Sequence, residues 1–395
     1  MMVHMKAKRF IYNELCNDLK RPEITILLGA RQVGKTFLLR ELLTYLEKAG
    51  KKAVYYNLEI PADLLKFKGS EEDVFRMLTR TADVILLDEF HYLKNASHLF
   101  KAVFDSGSKI KIFASGSSSL EIHKHLKESL AGRRHVIKIF PLSLKEYKGN
   151  HLSLDSILVE GSLPGLLNKE NVRERQAYLH DLLETYILKD IKALIKEENV
   201  KAFNHLLYLL AEYQGSVVPV ANLAREIGLT ARTVDKYLTV LEQTYVCYSC
   251  PSFSTNLANE LKKSRKYYLY DLGIRNAILK NFEYDLSKRQ DKGALYESAV
   301  FLELLQKISP DTSLYFWRTK QKAEVDFIKM VNRRPIPIEV KSTLASRGLP
   351  EGMKAFLDRY PETSEGFVVG EEGGGEIVYK KTTIKFIPWQ DADQL

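Results

Sequence analysis

The stretch Gly29-Ala30-Arg31-Gln32-Val33-Gly34-Lys35-Thr36 decides how the N-terminal part of this chain is read. A short β-rich apolar run, Ile24-Thr25-Ile26-Leu27-Leu28, precedes it. Behind it, Phe37-Leu38-Leu39-Arg40-Glu41-Leu42-Leu43 continues as an amphipathic helix. Strand, glycine-containing loop and helix in that order make a cradle for phosphate. Gly29 and Gly34 let the backbone curl so that the N–H groups of the loop point at the phosphates, and the helix N-terminus adds partial positive charge. Lys35 is expected to reach the β- and γ-phosphates of ATP, and Thr36 to give its hydroxyl to Mg²⁺.

A loop of this kind needs a second element, and Val84-Ile85-Leu86-Leu87-Asp88-Glu89 supplies it. Four apolar residues read as a buried parallel strand that ends in two carboxylates. Asp88 is expected to hold Mg²⁺, and Glu89 to polarise the attacking water as general base. A third strand, Ile110 to Ala114, runs into Ser115-Gly116-Ser117-Ser118-Ser119. Ser117 is a candidate sensor of the γ-phosphate, although the same serines also suit a plain loop and helix start. Arg133, closing Ser129-Leu130-Ala131-Gly132-Arg133, is a candidate finger toward a neighbouring subunit's nucleotide, with a surface salt bridge as the equal alternative.

At 395 residues the chain is too long for one ordinary core. Its 45% hydrophobic and 28% charged residues are those of a globular protein, and the net charge of +9 leaves room for an anionic partner. Neither a signal peptide nor an apolar run of spanning length is evident, which points to the cytoplasm and away from membranes. Three cysteines give no disulfide framework, and Cys247-x-x-Cys250 lacks the second ligand pair that structural zinc requires.

From Leu144 to about Val200 the spacing is helical, with Tyr178-Leu179-x-x-Leu182-Leu183-x-x-Tyr186-Ile187 as its clearest stretch. Next comes a helix–turn–helix: Val220 to Ile227, a stop at Gly228, Thr230 as cap, then a second helix over 231–243. Strands at Tyr245–Tyr248 and Lys266–Tyr270 would complete a winged helix. Its second helix exposes Arg232 and Lys236, and Lys262, Lys263, Arg265 and Lys266 are placed to meet phosphates of DNA. Plain packing is the competing use of such a module.

Beyond residue 290 the order is helix, three strands, helix, strand. Glu297 falls on the helix, Asp326 on the second strand, and Glu339 and Lys341 on one face of the third. Carboxylates and a lysine converging there are what metal-dependent phosphodiester cleavage uses, so Glu297, Asp326 and Glu339 are candidate ligands of a second metal. Asp326, Glu339 and Lys341 form a candidate catalytic set that resembles the PD-(D/E)xK nuclease motif. An inactive descendant used for binding is the other reading.

In order and together, Gly-Ala-Arg-Gln-Val-Gly-Lys-Thr, Leu87-Asp88-Glu89, the serines to 119, Ser-Leu-Ala-Gly-Arg, Phe140-Pro141-Leu142-Ser143, Gly161-Ser162-Leu163-Pro164, Lys189-Asp190-Ile191 and Tyr270-Asp271-Leu272-Gly273 resemble a prokaryotic family of AAA-type ATPases. Those proteins carry a C-terminal domain of uncharacterised function. The resemblance implies an α/β P-loop domain, ATP hydrolysis and homo-oligomers. Phe90-His91 stands where relatives often have Ile-Gln. The expected organisation is a P-loop AAA-type ATPase domain over 1–143, a helical linker over 144–200, a winged helix over 201–285 and an α/β restriction-endonuclease-like domain over 286–395. ATP and Mg²⁺ are the expected cofactors and DNA the expected partner.

Overall fold

The computed structural model describes residues 8–117, 130–150, 153–191, 200–254, 265–343 and 348–395. They form two compact units, the first being 1–141 with 163–168 and 243–245, the second holding the remainder. All three segments expected beyond 143 contribute to the second unit.

The first unit is built on a five-stranded sheet in the order β2-β3-β4-β1-β5, made of β1 Ile24–Gly29, β2 Ala53–Asn57, β3 Val84–Asp88, β4 Lys111–Ser117 and β5 Arg134–Lys138. All its pairings are parallel. Such strands are covered on both faces, which is why β1 and β3 read as unbroken apolar runs and are buried throughout. The loop after β1 leads into the helix Lys35–Lys48, whose Leu38, Leu39, Leu42 and Leu46 are buried. The carboxyl ends of β1, β4 and β3 therefore lie side by side, the edge where open parallel sheets carry their ligands.

The second unit contains a six-stranded sheet, β13-β14-β12-β11-β10-β9. Its members are β9 Thr312–Arg318, β10 Glu324–Val331, β11 Arg334–Lys341, β12 Glu365–Gly370, β13 Glu376–Tyr379 and β14 Thr382–Pro388. β9, β10 and β11 pair antiparallel, while β11–β12 and β12–β14 are parallel. The helix Glu351–Arg359 buries Met353, Phe356 and Leu357 in an apolar core with Trp317, Val325 and Ile328. The helix Lys292–Leu305 packs on β11, and its Phe301 stacks on Tyr268 with ring centroids 3.9 Å apart.

Tyr268 belongs to a three-stranded sheet ordered β6-β8-β7, from β6 Val217–Val218, β7 Cys247–Cys250 and β8 Arg265–Leu269. Ahead of it stand the helix Val220–Ile227, Gly228 in the left-handed region, and the helix Ala231–Gln243, with Thr230 Oγ1 accepting from the Thr233 N–H. Val234, Leu238 and Leu241 are buried and Arg232 and Lys236 exposed. Upstream, the helix Val172–Leu182 passes into a π-helical stretch, Leu183–Ile191. Among the described residues no helix is long and apolar enough to cross a membrane.

Candidate functional site

The loop after β1 owes its shape to two glycines with different duties. Gly34 caps the helix at φ 95°, a backbone that L side chains resist, and presents the helix N-terminus. Gly29 does something the sequence did not suggest: a Cβ there would strike the Ile139 carbonyl, so its bareness lets the chain after β5 approach β1. Arg9 braces the loop by donating to the Val33 carbonyl at 2.7 Å and the Phe140 carbonyl at 2.9 Å. Lys35 is buried, with Nζ donating to the carbonyls of Gly29 (3.0 Å) and Ala30 (2.8 Å). Burial lowers its pKa to about 8, only partly offset by the charges of Glu89 and Asp88.

Asp88, at the end of β3, is held by two hydroxyls. Tyr55 donates to its Oδ2 at 2.7 Å, and Ser115 donates to its Oδ1. Arg40 lies over the Tyr55 ring, 5.6 Å from its centroid, so a chain of polarised groups fixes the carboxylate. Glu89 follows in the left-handed region at φ 55°, and its Oε2 lies 3.2 Å from His91 Nδ1. The unexpected His91 thus sits beside the candidate base. Ser115 is a serine on the carboxylate. The side chain of Ser117 and residues Ser118, Ser119 and Ser129 lie outside the described residues.

Around these groups opens a cavity of about 670 Å³, lined by Arg31, Gln32, Gly34, Lys35, Thr36 and Glu89. That volume suits a bound nucleotide. Pro164, Gly165 and Asn168 line it as well, giving Pro164 a place in the site that periodicity could not reveal. Thr36 and Asp88 offer the hard oxygen donors that Mg²⁺ prefers. Arg133 is elsewhere: it precedes β5 at the amino end of the sheet, where its Nε pairs with Asp105 at 2.6 Å.

A parallel sheet with a phosphate loop after β1 and an Asp-Glu pair after β3, with β4 between the two strands, is the arrangement of a P-loop domain. Residues 21–148 match the family described as an AAA domain. Residues 151–285 and 292–391 match two domains of unknown function, DUF8612 and DUF4143. An uncharacterized protein of Mycobacterium tuberculosis is 25% identical over 343 residues, covering 86% of this chain and 74% of the relative. One from Methanocaldococcus jannaschii is 24% identical over 392 residues, covering 89% and 83%. AMPPCP-bound DnaA from Aquifex aeolicus matches at a TM-score of 0.30 and 18% identity over 62% of this chain and 90% of that one. Pif1 helicase from Candida albicans matches at 0.27 and 12%, over 46% and 48%. At such scores no residue role is carried across.

The second unit gathers the other candidate residues. Asp326 Oδ2 accepts from the Val340 N–H at 2.8 Å, and Lys341 Nζ donates to Glu339 Oε1 at 2.6 Å. Glu297 Oε1 accepts from the Tyr268 hydroxyl at 2.6 Å. Two members were missed from sequence. Glu324 joins the carboxylates, and Lys266 enters from β8 with Nζ 3.0 Å from Glu297, 2.8 Å from Glu324 and 3.5 Å from Asp326. This corrects the assignment of Lys266 to DNA phosphates: strand alternation turns Lys266 and Tyr268 inward and leaves Arg265 exposed, paired with Glu242. Burial pushes the carboxyls of Glu297 and Glu339 up to about 7 and about 8. Among the described residues no group of three or more His, Cys, Asp or Glu is arranged to hold a metal. Lys262 and Lys263 lie outside the described residues.

Proposed function

We propose that this protein binds and hydrolyses Mg-ATP in its first unit and uses the nucleotide state to govern a second unit, built as a winged helix and a nuclease-like α/β domain, that engages DNA. The observation carrying the ATP reading is the common edge of the sheet, where Lys35, Thr36 and Glu89 line one cavity and Asp88 closes β3 beside it. Bound Mg²⁺ would neutralise phosphate charge, with Thr36 and Asp88 as its protein ligands. Backbone N–H groups of Ala30 to Gly34 orient the phosphates, Lys35 supplies positive charge to them, and Glu89 takes the proton of the attacking water. A homo-oligomer is part of the proposal, and Arg133 would have to leave Asp105 to serve a neighbour.

Chain connectivity supports the coupling. Leu163–Asn168 belongs to the first unit and lines the cavity, while the residues on both sides belong to the second. The Ser162 N–H, at that junction, donates to the buried Asp271 carboxylate at 2.7 Å. A change at Pro164 or Asn168 on nucleotide binding is therefore passed along a few covalent bonds. Exposed Arg232 and Lys236 on the second helix support DNA contact. Binding without cleavage is favoured over cleavage by one specific observation, the placement of Lys266 among the carboxylates.

The test is phosphate release with and without single-stranded, duplex and branched DNA. Lys35→Ala should lose turnover by roughly a hundredfold or more. Wild-type turnover in that variant would refute the ATP reading. Unchanged turnover and no salt-dependent retention with every DNA form would remove DNA, leaving an ATP-switched protein that binds other proteins.

A further inference from the structure

We propose that Lys266 is a built-in cation that takes the place of a divalent metal among Glu297, Glu324, Asp326 and Glu339. Its backbone is fixed from both sides, because β8 pairs with β6 through Val217 and with β7 through Cys250. Its side chain is 2% exposed and passes 5.6 Å from the Phe316 ring centroid, so it has no open path to solvent. The ammonium lies within 3.5 Å of oxygens from three carboxylates.

Several of these oxygens have further partners. Asp326 Oδ2 accepts a backbone N–H, Glu339 Oε1 accepts Lys341, and Glu297 Oε1 is shared between Tyr268 and Lys266. Mg²⁺ demands an octahedron of oxygens at about 2.0–2.1 Å, and an ammonium in the middle of the same carboxylates excludes it by space and by charge. The donor set expected from the nuclease-like motif does not fit a metal while β8 supplies this lysine. The carboxylates become a divalent-metal site only when Lys266 is withdrawn or neutralised. The inference is independent of the ATP reading, because nucleotide-free protein reports on it.

The experiment titrates Mn²⁺ into nucleotide-free full-length protein, following free ion by electron paramagnetic resonance and the thermal midpoint in parallel. Wild type should show no Mn²⁺ binding that Asp326→Asn abolishes. Lys266→Met should gain one such site per chain, lost again in the Lys266→Met, Asp326→Asn double variant. At a Mn²⁺ concentration about a hundredfold above Kd, the midpoint of Lys266→Met should rise by roughly 5–10 °C, and that of wild type should not. Lys266→Gln, which retains hydrogen-bond donors, repeats the gain arm if the Met variant does not fold. An Asp326-dependent site in wild type overturns the proposal, whatever the variants do. So does a folded Met or Gln variant that gains no such site.

Discussion

Each unit buries a lysine beside carboxylates, and the surroundings drive the two in opposite directions. For Lys35 burial dominates: Nζ rests on two backbone carbonyls, and the pKa falls to about 8. For Lys266 burial also pulls downward, but Glu297, Asp326 and Glu324 outweigh it and the pKa rises above the ordinary lysine value. The first lysine has charge to give to an incoming phosphate and a cavity in which to give it. The second has already spent its charge on its own protein. A lysine beside carboxylates thus faces an open cavity in one unit and is closed into an ion cluster in the other.

The strongest way to break this contrast is Glu89→Gln, which keeps Asp88 and Thr36 but removes the base. Turnover measured as phosphate release should fall by roughly 10²–10⁴, with ATP still retained on the protein. Turnover at the wild-type rate would sink the assignment of Glu89. In the second unit, Lys266→Met without added metal should cost about 3–5 kcal/mol by urea denaturation, because it strands buried carboxylates. A loss below about 1 kcal/mol would mean that Lys266 is not their counter-ion.

Asp271 sharpens the comparison, since it is buried with backbone N–H groups rather than a lysine for company. Burial raises its pKa from 3.8 to about 6, against the hydrogen bonds from Ser162, Ile274 and Gly273. The folded state therefore holds this proton more tightly than the unfolded chain does. The resulting stability is complete below about pH 4 and is lost as pH rises through about 6, a change of roughly 3 kcal/mol. Urea midpoints should show wild type losing ground to Asp271→Asn between about pH 4 and 7. Parallel pH curves for the two proteins would remove Asp271 as the cause.

The mildest test pairs two tyrosines that each donate to a carboxylate. Tyr55→Phe should lower ATP turnover about tenfold, through a less firmly held Asp88, whereas Tyr268→Phe should cost about 1.5–3 kcal/mol of unit-two stability and leave turnover alone. A shared phenotype would erase the distinction between the sites.

Much of this was legible in the sequence because local rules govern it. The run Ile24–Leu28, the phosphate loop, and the strand ending at Asp88 are contiguous signals, and the structure returns them almost residue for residue. The helix pair around Gly228 was equally plain, since a left-handed stop and a cap at Thr230 are properties of short segments. What escaped depends on distant partners. Nothing near Gly29 reveals that Ile139 will press against it. The adjacent basic residues Arg265 and Lys266 cannot both face water on a strand, but which of them turns inward is settled by Glu297, Glu324 and Asp326. Strands β13 and β14 were missed behind the glycines at 373–375, whose composition reads as a loop.

The left-handed backbone of Glu89 has a consequence for how this position would respond to selection. A glutamate at φ 55° sits where glycine and asparagine are at ease, at a cost of about 1–2 kcal/mol to folding. A library randomised at this codon and sorted only for folded protein should drift toward Gly and Asn. Sorted for ATP turnover, it should return to Glu, so that the two screens pull one residue in opposite directions.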